Sequence, residues 1–299
     1  MTHVLEDIGR AVGQAAEKLG PAVVGLGRGW GRGSGVVIAP DTVLTNAHVL
    51  RGDEVAVRLA GAAETAHGRV AGVDADFDIA VIRVQTDGVE PVAWDPDLVS
   101  SVGAGTPVFA LADPGGRGLR VTVGFVTATN RSFRGPGGRR VRGSLEHSAP
   151  LPRGASGGPL VDLEGRLLGL NAIRLEGGLI LAIPADQALR RRVDALARGE
   201  ATERPRLGVA LAPPRAARKL RAAVGLPERD GLLVRGVDSD SPAGSAGLER
   251  GDLLVTAGGR PLESVDTLFD AVEAVGTSGT LILGVLRGAD EREVTVGLS

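Results

Sequence analysis

GVVIAPDTVLTNAHVL, residues 35–50, holds two short apolar runs, GVVIA and TVLTN, separated by Pro-Asp, and the second breaks into a small-residue turn carrying His48. Short runs of β-branched and aliphatic residues closed off by Pro, Asp or Gly mark strands joined by tight turns. The same punctuation continues on both sides. Between Ala22 and Pro184 eleven such runs follow one another, among them AVVGLG, EVAVRLA, IAVIRV, PVFALA, LRVTVGFVTAT, GPLVD, RLLGLNAI and GLILAI. That density of short strands predicts a mainly β unit, either a barrel or a sandwich.

Composition agrees. A chain of 299 residues, 43% hydrophobic, buries a sizeable core, and its length is that of about two domains. Aromatic residues make up only 2% and Tyr is absent, so the core is built from Val, Leu, Ile and Ala, while 46 Gly and 17 Pro imply many turns. The net charge of −2 exerts no global attraction on nucleic acid or anionic lipid. Without cysteine there is no disulfide, thiolate nucleophile or cysteine metal site. Met1 is not followed by a basic segment, apolar run and small-residue cleavage site, and no stretch approaches the roughly 18 apolar residues of a membrane span. The chain as written is therefore expected to be cytoplasmic, and extracytoplasmic if such a segment was trimmed.

Upstream of the strands, Val4, Leu5, Ile8, Val12, Ala15, Ala16 and Leu19 fall at helical spacing before Gly20-Pro21, an amphipathic helix packed on its own domain or against another subunit. Downstream, ADQALRRRVDALAR (185–198) reads as a helix with Leu189, Val193 and Leu196 on one side, and the polar RGEATERPR that follows reads as a linker. The expected domains are residues 1–200 and 206–299. The second contains LGVAL, LLVRGV, the turn-rich SPAGSAGLERGD, LLVTAGG, a helix SVDTLFDAVEAV capped by Ser264, and the strands TLILGVL and EVTVGL.

RGASGGPL (153–160) surrounds one serine, Ser156, with glycines. A serine hydroxyl is a weak nucleophile unless a base lies within hydrogen-bond reach, a third group orients that base, and amide donors face the developing oxyanion. Glycines let backbone N–H groups turn toward that point. On composition alone such a run is more often a turn. The base must come from His3, His48, His67 or His147. His3 lies in a fraying terminus, His67 in the polar AETAHGR, and His147 reads as a solvated loop histidine, with the Ser156 cleft as its alternative. His48, in a turn at a strand end, is held but reachable. Asp74, Asp76 and Asp78 are the candidate orienting carboxylates, and Asp78 directly abuts the buried run IAVIRV, where desolvation forces it to find a partner.

TNAHVL, DFDIAVIRV and GASGGPLVD, in the order His, Asp, Ser, resemble the HtrA or Deg-type serine proteases. LRVTVGFVTATNR and LNAIRLEGGLILAIPAD extend the resemblance, and LGVALAPP with DSPAGSAGLERGDLLVTAGGRPLESVDTLFDAV resembles the PDZ domain that follows the protease in this family. The resemblance implies a chymotrypsin-like double β-barrel protease domain followed by a small α+β PDZ domain. It implies Ser156 as nucleophile, His48 as general base, Asp78 as the group holding the imidazole, and the amides of Gly154 and Ser156 as the oxyanion hole. No metal or organic cofactor is implied. The pocket for the residue before the cut would be formed by Pro150, Leu170, Asn171 and Ala172; with no acid among them, small or medium aliphatic side chains are expected. Leu207, Gly208, Val209 and Ala210, with Leu268, Phe269 and Val272 on the flanking helix, would bind apolar peptide C-termini.

Three features depart from the family pattern: Ala155 stands where Asn usually precedes the nucleophile, Pro150 and Pro152 stiffen the segment before it, and FALADPGG replaces the usual small-Gly-Asn-Pro turn as a loop variation. The arginine clusters, Arg131, Arg134, Arg139, Arg140 and Arg142 and then Arg190 to Arg192, lack the interleaved aromatics of a nucleic-acid site and read as solvated charge. The first falls where the family carries a regulatory loop, so an acidic ligand or the PDZ domain is its alternative partner. The resulting expectation is an ATP-independent endopeptidase acting on unfolded protein and assembled as a homo-oligomer, by resemblance a trimer. The alternative is a catalytically weak scaffold that binds peptides through its PDZ domain, with chaperone-like holding as a further possibility.

Overall fold

Every predicted run of Val, Ile and Leu in the first two-thirds of the chain lies in or beside a strand, and the strands close on themselves. The computed structural model describes residues 2–27, 33–62, 64–136, 140–200, 206–276 and 278–298. Arg139 and most of the expected linker, residues 201–205, lie outside the described residues, as does the side chain of Val4. Val23–Leu26 (β1), Gly33–Ala39 (β2), Thr42–Thr45 (β3), Glu54–Arg58 (β4), Ala66–Asp74 (β5) and Ile79–Arg83 (β6) form a closed antiparallel barrel in the order β1-β2-β3-β6-β5-β4. Pro107–Ala112 (β7), Arg120–Arg134 (β8), Arg140–His147 (β9), Pro159–Val161 (β10), Leu167–Arg174 (β11) and Ile180–Pro184 (β12) form a second, in the order β10-β11-β12-β9-β8-β7. Closure decides between barrel and sandwich, and it leaves no open sheet edge.

The stretch 35–50 folds as its spacing predicts. Ala39 pairs with Thr42 across the two-residue turn Pro40-Asp41, where Asp41 takes φ 54°, and β3 then breaks into a 3₁₀ turn, Ala47–Val49, that carries His48. The strands alternate between two apolar clusters. Val24, Leu26, Val37, Val43, Val57 and Ile82 form a cluster within the first barrel. Val36, Leu44, Ile79 and Val81 instead join Phe109, Leu111, Leu170 and Ile183 of the second barrel in one continuous core. Strands buried on both faces explain why runs such as IAVIRV show no polar alternation.

Helix α1 (Thr2–Leu19) buries Ala15 and Leu19 against this core, while Leu5 and Ile8 stay 72% and 41% exposed. Its C-terminal half thus packs on its own domain and its N-terminal half does not. Helix α2 (Gln187–Ala197) starts where the Asp186 carboxylate accepts from the Leu189 amide at 2.9 Å, and it buries Leu189, Val193 and Leu196 at i, i+4, i+7 spacing.

The chain divides into two compact units, Met1–Thr202 and Glu203–Ser299. In the second, Val209–Ala212 (β13), Leu232–Val237 (β14), Leu253–Ala257 (β15), Arg260–Pro261 (β16), Thr280–Arg287 (β17) and Asp290–Gly297 (β18) form a sheet in the order β13-β14-β15-β17-β18, with β16 on β15. Helices Pro214–Ala223 (α3), Pro242–Ser245 (α4) and Val265–Val275 (α5) complete it. The Ser264 hydroxyl caps α5 by accepting from the Thr267 amide at 3.2 Å. No helix among the described residues is long and apolar enough to cross a membrane.

Candidate active site

The first barrel supplies two polar side chains and the second supplies one. His48 Nδ1 lies 2.8 Å from Asp78 Oδ2 and 3.0 Å from Oδ1, and the His48 amide donates to the same Oδ1 at 3.0 Å. An ionised carboxylate only accepts, so on the neutral ring Nδ1 carries the proton and Nε2 keeps its lone pair. Asp78 is 1% exposed and adopts φ 56°, a left-handed conformation that a non-glycine residue holds only when its surroundings insist. Asn46 provides the insistence, its Nδ2 donating to the Asp78 carbonyl at 2.8 Å. Behind the turn, Asp74 accepts from the Phe77 amide at 3.1 Å and from Arg192 of α2 at 3.3 Å, and that guanidinium lies 3.4 Å from the Phe77 ring centroid.

Ser156 sits between β9 and β10, in a loop locked against the first barrel. Ser34 of β2 donates its amide to the Ser156 carbonyl at 2.9 Å and its hydroxyl to the Gly154 carbonyl at 3.0 Å, and receives the Asp113 amide at 3.0 Å. Gly157 has φ 87°, and a Cβ there would collide with the Ser34 carbonyl and the Thr45 hydroxyl. One on, a Cβ at Gly158 would strike the Leu111 carbonyl. These glycines are thus required by close backbone approach. The amides of Gly154 and Ser156 donate to no acceptor among the described residues, which leaves both free for an oxyanion. The Ser156 hydroxyl donates to the Ala172 carbonyl at 2.9 Å. That carbonyl is turned out by a register shift between Asn171 and Ile173, a bulge in β11 that re-aims its backbone.

Several expectations need correction. His147 is no solvated loop residue: it ends β9 with no exposed surface, and burial lowers its pKa to about 4. Leu170 belongs to the core and Asn171, 1% exposed, spends its side chain on His147 and on the Gly158 and Pro159 carbonyls, so neither lines an open pocket. Period 2 places Leu170 inward, and the glycine-rich loop closes over Asn171. Pro150 is exposed and Ala172 meets Ser156 through its carbonyl. His3 is exposed on the first turn of α1, and His67 is on β5 opposite Ala56.

In the second unit, β13 pairs among the described residues only with β14 and is an edge strand. Gly208, just before it, takes φ 75°, and a Cβ there would collide with the Ser241 side chain. Val209 is half-buried and Ala210 exposed, whereas the Leu207 side chain lies in the core. Leu268 and Val272, 1% and 2% exposed, also fill the core, which corrects their placement on a peptide groove; i, i+4 spacing turns both toward the sheet and leaves Phe269 half-buried.

Residues 33–170 match the trypsin-like peptidase domain, and residues 205–298 match the PDZ domain. Over 277 residues the chain is 32% identical to the putative serine protease HhoA of Synechocystis, an alignment covering 89% of this chain and 70% of that protein. The chain belongs to the HtrA family of serine proteases. It is also 32% identical to a probable periplasmic serine endoprotease, DegP-like, of Halomonas elongata, across 88% of this chain and 55% of that protein. Among solved structures, the serine endoprotease from Yersinia pestis is 25% identical with a TM-score of 0.66, covering 96% of each chain. The HtrA-type protease AlgW with decapeptide shares the fold at 24% identity and TM-score 0.69, covering 96% of this chain and 97% of that one.

What motif spacing missed in this HtrA chain is the supporting role of Ser34, Asn171 and His147 at the Ser156 loop and of Asn46 at the Asp78 turn. Ser34, Asn46 and Asn171 are polar residues in or at the end of apolar runs, and a polar side chain there must find a partner. That signal was present in GSGVV, TVLTN and LLGLNAI, but it names no partner.

Proposed function

We propose that this chain hydrolyses peptide bonds in unfolded protein by acyl transfer through Ser156. His48 Nε2 takes the proton from the Ser156 hydroxyl as the oxygen attacks the scissile carbonyl. The oxyanion is received by the Gly154 and Ser156 amides, and His48 returns the proton to the leaving amine. Water, activated by the same nitrogen, then releases the acyl group. The observations that carry this reading are the His48–Asp78 pair, which leaves Nε2 as the base, and a Ser156 loop tied to Ser34 of the first barrel with two amides unspent. Its test is cleavage of reduced casein by the purified chain against Ser156→Ala, with a loss on the order of 10⁶ in turnover expected. Undiminished cleavage by the variant would sink it.

Three finer assignments go with it. Small or medium aliphatic side chains are preferred before the cut, since no carboxylate stands at Pro150 or Ala172 to attract a basic one. Apolar peptide C-termini add to the edge strand β13, held by backbone from Leu207 to Ala210 and by Phe269. The assembly is a trimer, with the exposed Leu5 and Ile8 on α1 available to it. The Ser156–Ala172 hydrogen bond favours a resting enzyme whose hydroxyl must rotate toward His48. Stimulation of casein cleavage by an excess of a peptide with an apolar C-terminus is the expected sign of PDZ-dependent activation.

A further inference from the structure

His147 lies on β9 between Val126 and Ile180, with its Nε2 2.9 Å from Asn171 Oδ1. The direction of that hydrogen bond follows from the other end of the carboxamide. Asn171 donates from Nδ2 to the Gly158 carbonyl at 2.9 Å and to the Pro159 carbonyl at 3.1 Å. Carbonyls only accept, so the amide nitrogen faces them, Oδ1 faces the histidine, and His147 Nε2 must carry the proton. Nδ1 is then a bare acceptor, without a partner among the described residues. Burial favours this neutral ring, and no charged side chain contributes to its titration. Glu146, next on the strand, is engaged by Thr127 and Arg131.

The Asn171 backbone completes the grip: its carbonyl receives the Gly157 amide at 2.8 Å and its amide donates to the Gly158 carbonyl at 2.9 Å. One residue therefore holds the chain from Gly157 to Pro159, immediately after the nucleophile. The next residue, Ala172, presents the carbonyl that receives Ser156 Oγ. Ala155 offers the loop no side-chain hydrogen bond of its own, so this hold and that of Ser34 carry the load.

We infer that His147 is a positioning residue for Ser156: by donating from Nε2 to Asn171 Oδ1 it fixes the carboxamide that holds Gly157 to Pro159, and with them the nucleophile. The inference rests on the reading of Ser156 as nucleophile. A nucleophile displaced by about 1 Å loses up to about 10²-fold in rate, so a support outside the reacting groups has a kinetic signature.

The test compares His147→Phe, which keeps a planar ring and removes the donor, with His147→Gln, which restores an N–H donor that does not titrate. In both, kcat and KM are measured on an unstructured peptide together with the rate of Ser156 labelling by a fluorophosphonate. The tautomer of His147 is read from ¹⁵N shifts of the histidine-labelled full chain. The expected result is a fall in kcat of about 10- to 100-fold for the Phe variant with KM little changed, recovery to within about threefold in the Gln variant, and a protonated Nε2 with bare Nδ1 still neutral at about pH 5. An unchanged kcat in His147→Phe, equal impairment of both variants, or a protonated Nδ1 overturns the inference. Should the Phe variant fail to fold, the Gln variant and the tautomer decide. A wild-type chain that the fluorophosphonate does not label defeats the reading of Ser156 itself, an outcome separate from any difference between variants.

Discussion

At the scale of single residues, the site is an arrangement of obligatory partners. Asp78→Asn replaces an acceptor by a group whose amide turned toward His48 forces the opposite tautomer, and turnover should fall by about 10⁴ with casein binding retained. Ser34→Ala deletes the hydroxyl shared by the Gly154 carbonyl and the Asp113 amide and leaves a buried donor unsatisfied, a loss of about 1–3 kcal/mol by urea denaturation. His147 makes stability depend on pH. Its folded pKa of about 4 lies below the ordinary 6.5, so as pH falls the unfolded chain takes up the proton first. Stability is full above about pH 6.5 and declines by about 2–3 kcal/mol toward pH 4.5. Urea midpoints at the two ends of that range measure it, and His147→Gln should remove this component.

Among elements, α2 is tied to the turn that presents Asp78. Arg192 reaches from the helix to Asp74, which is 3% exposed, and stacks on Phe77. Arg192→Ala withdraws one charged partner of a buried carboxylate and should cost about 1–3 kcal/mol by urea denaturation, whereas Asp74→Asn with Arg192→Met should recover most of that loss. A merely solvated Arg192 would show no such recovery. In the second unit, Gly208→Val forces a β-branched residue into φ 75° and against Ser241, so binding of a peptide with an apolar C-terminus should be lost in calorimetry. Eleven of the twelve barrel strands were legible because Pro, Asp or Gly punctuates their apolar runs, whereas β9, RVRGSLEH, has too few apolar residues to announce itself; β2, the Pro40-Asp41 turn and β3 fall where residues 35–50 place them. Element faces were less so. Leu268 and Val272 have the spacing of a stripe, and a stripe reads the same whether it meets a ligand or a core.

For the whole molecule, two units each hold their own apolar core, one shared by both barrels and one closed by α5 against the second sheet. Residues 206–299 expressed alone should therefore unfold cooperatively in urea. The order of His48, Asp78 and Ser156, eleven of the twelve barrel strands and the appended domain were determined by the sequence alone, because local punctuation and motif spacing are properties of neighbours along the chain. Only the tertiary structure decided which polar residues meet: Ser34 with Gly154, Asn46 with Asp78, His147 with Asn171, Arg192 with Asp74. These partners stand far apart in sequence, and barrel closure and strand register bring them together. A buried polar side chain announces that it needs a partner, but only the fold supplies one.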